Sequence, residues 1–151
     1  MREREKEVLE FAVAKETAAE SFYLHWAKRA LDMDLKDLLR DLAAEERSHI
    51  EKLSSVSAES LIAEGSAPVE FGLAKDLPDT SAQEATTLLD ALAVGIQREE
   101  EAVKLYERLR AASTTAEPLF AALVEEERRH KHKLELRYAL LKSRGSKEER
   151  A

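Results

Sequence analysis

The chain states one pattern twice: Glu46-Arg47-Ser48-His49 returns 81 residues later as Glu127-Arg128-Arg129-His130, with Leu42/Leu123, Arg47/Arg128, Lys52/Lys133 and Leu53/Leu134 matching at the same offset. A second match lies upstream of each copy at an offset of 83, where Glu16 and Tyr23 pair with Glu99 and Tyr106. Repetition on this scale predicts two similar helical hairpins facing each other about a pseudo-twofold axis, since stacked repeats bury what one alone cannot. Each copy sits in a stripe of apolar residues at helical spacing, where core side chains are expected. That stripe carries four carboxylates and two imidazoles into the interior.

The helices follow from where apolar periodicity runs and where Gly and Pro break it. A first helix spans about Glu3 to Ala30, with Leu9, Ala12, Glu16, Ala19, Tyr23 and Ala27 on one face. Asp32-Met33-Asp34 offers N-caps for a second, whose inner face is Leu35, Leu39, Leu42, Glu46, His49 and Leu53. From about Ser54 to Ala85 the pattern is interrupted by Gly65, Pro68, Gly72 and Pro78, around a short helical piece near Glu59 to Glu64. Loops longer than about 12–15 residues are uncommon in compact domains, so this one needs a purpose. A helix of about 28 residues is about 42 Å long, and a connection that returns along it to start a parallel neighbour needs this much chain. The third helix runs from about Thr86 to Ala112, with Leu92, Ile96, Glu99, Ala102, Val103, Tyr106 and Leu109 inward. Gly95, one turn before Glu99, suggests a close approach there, because Gly costs about 1 kcal/mol relative to Ala within a helix. Pro118 suits the first turn of a fourth helix, whose stripe is Phe120, Leu123, Glu127, His130, Leu134, Tyr138 and Leu141. With 44% hydrophobic and 36% charged residues but only 4 Gly and 3 Pro, the composition fits this all-α reading. We expect one domain over residues 1–151, a four-helix bundle with a long crossover between its second and third helices and a polar tail from 143 to 151.

Glu and His three apart on a helix share a face, so Glu46 with His49 and Glu127 with His130 can each converge on one ion. Glu16 and Glu99 add carboxylates from the facing helices, giving four Glu and two His, the donor set of di-iron and di-manganese bundles. Glu100 and Glu101 flank Glu99, and the register of Ala102 and Tyr106 selects Glu99 as the inward residue; Glu45 and Glu126 are the corresponding alternatives on the other two helices. Glu20 and Glu100 are further ligand candidates, while His25 and His132 fall on the solvent side. Four carboxylates in an apolar layer repel one another and lack solvation, which costs several kcal/mol for each isolated ion. No inward Lys or Arg is evident one turn away, whereas two divalent cations would cancel the charge. Carboxylate with imidazole and no thiolate suits iron or manganese and leaves zinc open.

Other partners are disfavoured. A net charge of -7 without a basic cluster argues against nucleic acid and anionic membranes. No run reaches the about 18 apolar residues of a membrane span, and the opening Met-Arg-Glu-Arg-Glu-Lys-Glu lacks a signal-peptide core, so cytoplasmic residence is expected. The absence of cysteine excludes disulfides and thiolate-bound metal within this sequence.

Over residues 5 to 142 the doubled Glu-x-x-His with its two upstream Glu resembles the rubrerythrin-like branch of the ferritin-like superfamily. The resemblance implies a dinuclear iron centre held by Glu16, Glu46, His49, Glu99, Glu127 and His130, with Glu46 and Glu127 bridging. It also implies a homodimer, and a non-haem di-iron oxidoreductase that reduces H2O2 or O2 or oxidises Fe(II). Two departures stand out. The cysteine-ligated rubredoxin centre is missing, so electrons come from an external donor; and Ala102 stands where rubrerythrins carry an additional Glu near Glu99, which weakens the expectation of a full peroxidase cycle. The alternatives are iron handling, as a ferroxidase or store, and a helical interaction protein with a structural metal.

Overall fold

The computed structural model describes residues 2–56, 85–113 and 115–144, which form four helices: α1 (Arg2–Ala27), α2 (Met33–Ser54), α3 (Leu88–Ala112) and α4 (Glu117–Arg144). Each of the four expected bundle helices is present, with ends set by specific caps. Asp32 caps α2: its Oδ1 accepts from the Asp34 amide at 3.0 Å, and its Oδ2 accepts from Arg137 on α4 at 2.8 Å. One side chain thus stops an orphaned helix amide and ties the α1–α2 turn to α4. Thr87 caps α3 by accepting from the Asp90 amide at 3.0 Å. Ser113 closes the far end of α3, its hydroxyl accepting from the Ala116 amide at 3.0 Å, and Pro118 lies in the first turn of α4 as the missing N–H allows.

The differences from the sequence reading are local. Helix α1 ends at Ala27 rather than Ala30, α3 begins at Leu88 rather than Thr86, and α4 continues to Arg144, two residues into the expected tail. Fraying and capping decide such ends, and periodicity does not see them. Ile96, Ala102 and Val103 are half-buried instead of fully inward. The helical piece near Glu59 to Glu64, the crossover and the tail beyond Arg144 lie outside the described residues.

Helix α1 packs chiefly on α2, and α3 on α4, so the molecule is two helical hairpins brought face to face. Its core is split in two. One apolar cluster joins Leu9 and Ala12 of α1, Leu53 at the end of α2, Leu105 and Leu109 of α3 and Phe120 and Leu123 of α4. The other joins Tyr23 and Trp26 of α1, Leu35, Leu39 and Leu42 at the start of α2, Leu88 and Leu92 of α3 and Leu134 and Leu141 of α4. This distribution fixes the directions: α2 finishes at one end of the bundle and α3 starts at the other, so the two run parallel, as the crossover reading requires. Between the clusters lies a layer of charged side chains. Gly95 allows close packing beside that layer, since a Cβ there would stand 3.2 Å from Leu134 Cδ1 and 3.6 Å from Tyr23 Cε1.

Candidate metal centre

All six side chains singled out from the sequence meet in that layer. Glu16, Glu46, His49, Glu99, Glu127 and His130 are each 2% exposed or less, although carboxylates are almost never fully buried without a partner. They form two overlapping sets: Glu16, Glu46, His49 and Glu127 in one, Glu46, Glu99, Glu127 and His130 in the other. Within each set the donor atoms lie within 4.8 Å of one another. Glu46 and Glu127 belong to both.

Both imidazoles turn Nδ1 inward. His49 Nδ1 is 2.6 Å from Glu16, 3.1 Å from Glu46 and 3.7 Å from Glu127, while His130 Nδ1 is 3.0 Å from Glu127 and 3.6 Å from both Glu46 and Glu99. The rings lie parallel, 12° apart with centroids 5.8 Å apart, as the pseudo-twofold relation predicts. Their outer nitrogens find partners that the sequence reading treated only as register alternatives. His49 Nε2 is 2.9 Å from Glu126 on α4, and His130 Nε2 is 2.9 Å from Glu45 on α2. Each hairpin therefore orients the histidine of the other. A carboxylate on Nε2 fixes the tautomer with hydrogen there, leaving the Nδ1 lone pair for a cation and making it more basic. Tyr23 plays a similar part for Glu99, donating its hydroxyl hydrogen to Glu99 Oε2 across from α1 to α3.

Glu20 and Glu100 are elsewhere. Glu20 is partly exposed with Arg47 of α2 at 3.9 Å, and Glu100 is exposed and accepts from Lys131 at 2.8 Å. His25 and His132 are exposed. Sequence reasoning passed over Glu101, which is only 6% exposed and has Lys15 at 3.8 Å. Two positions from Glu99 on the same helix, it gave no periodic signal of burial.

The electrostatics show what the layer lacks. Among the described residues no lysine or arginine is buried. Burial, with the charges of Glu99 and Glu16 added, pushes the Glu46 carboxyl up to about 8. Burial likewise raises Glu16 and, more strongly, Glu127. For the imidazoles burial opposes the charge, yet contact with Glu16 and Glu46 outweighs it and lifts His49 to about 11; contact with Glu99 and the charge of Glu46 lift His130 to about 9. Without a cation the cluster is held together by protons. Even so, both oxygens of Glu127, Oε1 of Glu46, Oε1 of Glu99 and Nδ1 of His130 are buried without a hydrogen bond. Buried polar atoms in native proteins are nearly always satisfied. Orphaned oxygens and an orphaned imidazole nitrogen converging in two sets are what a pair of divalent cations would satisfy, and hard oxygen with imidazole suits iron or manganese.

Because Glu45 and Glu126 act on the histidines from outside, Glu45→Gln and Glu126→Gln are each expected to weaken metal binding roughly 10–100-fold while leaving all six inner side chains in place. Competition titration against a chelator reads this directly, and wild-type affinity in both variants would reduce the two contacts to surface ion pairs.

Residues 7–138 match the family model described as Rubrerythrin. No curated protein and no solved structure matches the chain. Among the described residues no helix is long and apolar enough to cross a membrane.

Proposed function

From the premise that the chain belongs to the rubrerythrin family, we propose that it is a di-iron oxidoreductase that oxidises Fe(II) with H2O2 or O2 at a carboxylate-bridged dinuclear site. In this reading Glu16, Glu46, His49, Glu99, Glu127 and His130 would hold the iron pair, with Glu46 and Glu127 common to both donor sets and so the bridges expected. The observation that carries the reading is the pair of buried donor sets with two carboxylates in common. One ion in either set would leave two of the six donors unused, whereas two divalent ions balance four carboxylates.

When bound, an iron pair supplies two electrons, which with two protons convert one H2O2 to two waters or one O2 to H2O2. The chain does the rest. Glu126 and Glu45 hold the imidazoles with Nδ1 facing the inner carboxylates, Tyr23 keeps a proton on its hydroxyl at Glu99, and the apolar clusters close off the layer toward both ends of the bundle. In this reading re-reduction comes from a donor outside these 151 residues, none of which is a cysteine. The same reading expects a cytoplasmic homodimer without nucleic-acid or membrane partners.

Anaerobic Fe(II) loading followed by separate exposure to O2 and H2O2 tests the proposal. Loading is expected to saturate at two irons per chain, with faster oxidation by peroxide than by air. Equal rates would remove the peroxide reductase and leave a ferroxidase; loading far beyond two would indicate a store. Metal retention without oxidation by either reagent would point to a structural site.

A further inference from the structure

Beside the charged layer, between α1 and α3, lies a cavity of about 230 Å³. It runs from the surface to the metal-facing carboxylates: Ala14 and Ala18 at its mouth are exposed, while Glu16, Glu46 and Tyr106 at its inner end are buried. Between them the walls are Phe11, Ala19, Ala102 and Leu105. Four alanines on two facing helices keep the space open, and any larger side chain at these positions would fill it. A pocket of this size with mostly apolar walls and a few polar groups, beside a candidate reaction centre, is where a small-molecule ligand is expected to bind.

Size and wall chemistry define that occupant. Peroxide and dioxygen have two heavy atoms each. An apolar cavity of about 150 Å³ accepts benzene, so by proportion this one accommodates about nine heavy atoms. The lining is mostly hydrocarbon, so the body of the guest must be hydrocarbon too; the polar side chains among the lining residues are Lys15 and Arg98, which are partly exposed, and Glu16, Glu46, Glu101 and Tyr106, which are buried. We propose that the cavity is a binding site for a predominantly apolar organic molecule of about nine heavy atoms, seated with its inner end against Glu16 and Glu46. Occupancy then bears on the metal centre reciprocally: whatever factor metal loading imposes on guest affinity, the guest imposes on metal affinity.

Indole and 1-octanol, each of nine heavy atoms and neutral, are suitable probes. Calorimetric titration of metal-loaded protein is expected to show saturable binding of one molecule per chain. Ala102→Phe and Ala18→Phe are each expected to weaken it at least tenfold, with helical circular dichroism unchanged. Ala18 is exposed, so its variant reports on the cavity even if Ala102→Phe folds poorly. Absence of saturable binding up to the solubility of both probes, or wild-type binding in the Ala18→Phe variant, overturns the proposal. Metal content measured on the same samples separates this outcome from failure of the di-iron reading: binding that survives metal removal still supports the cavity, and two retained metals without binding refute the cavity alone.

Discussion

The double variant E46Q/E127Q is expected to bind metal about 100-fold or more weakly than wild type, since even residues outside the donor set govern a factor of 10–100. Its metal-free form, in contrast, is expected to melt higher than metal-free wild type at pH 8. The two effects have one cause. Glu46 is raised to about 8 and Glu127 is raised as well, so at pH 8 the metal-free fold must either keep these carboxylates charged in a layer where no lysine or arginine is buried among the described residues or take up protons that the unfolded chain would release. Gln keeps the shape of Glu and needs neither the charge nor the proton. Effective desolvation penalties are several kcal/mol per buried ion, and relief of even about 2–3 kcal/mol would raise the melting temperature by roughly 5–10 °C in a chain of this size. Chelator competition and scanning calorimetry provide the two readings. Retained affinity would remove both residues from the donor set, and a lower melting temperature would mean that the carboxylates stabilise the metal-free bundle.

A second large effect concerns pH. Glu46 is raised to about 8 and His130 and His49 to about 9 and 11, with Glu16 and Glu127 raised as well, so the folded metal-free chain holds protons that the unfolded chain would have released. A state that binds more protons loses stability as pH rises. The contribution of the carboxyls is complete below 4.5 and that of the imidazoles below 6.5, and both disappear as pH climbs through the folded values. Metal-free protein should therefore melt progressively lower from pH 5 to pH 9. Glu126 and Glu100 are shifted downward instead, so their opposite contribution is confined to pH values near or below 4.5. Added metal takes the place of the protons, so its stabilising effect is expected to grow over the same range. At pH 7 binding should release protons from this shared cluster of carboxyls and imidazoles. Calorimetry at pH 5.5, 7 and 9, with a pH indicator in weakly buffered solution, checks both parts. A metal-free melting temperature that rises with pH would contradict them.

How far the sequence leads can be seen residue by residue. Glu46 with His49 and Glu127 with His130 were legible because a three-residue spacing in an apolar stripe determines both facing and depth. Glu99 could be told from Glu100 and Glu101 because Ala102 and Tyr106 set the register. The crossover was legible from its length, and the structure agrees in placing the end of α2 and the start of α3 at opposite ends of the bundle. The cross-hairpin contacts of Glu45 and Glu126 were not. Their 81-residue offset was present in the sequence, but which nitrogen of which histidine they meet depends on how closely α2 approaches α4. Glu20 shows the converse: one turn from Glu16, it is close in helical register yet sits with Arg47 nearer the surface. The cavity was equally hidden, since alanines on two helices make a void only when the helices stand at a particular separation, and no local pattern encodes that distance.

The most direct measurement is anomalous X-ray diffraction from crystals of the protein loaded with Fe(II) or Mn(II). Two peaks per chain are predicted, about 3.5–4 Å apart as in other two-metal sites, between the two histidines and bridged by Glu46 and Glu127. A single peak, or peaks away from these six side chains, would contradict the account.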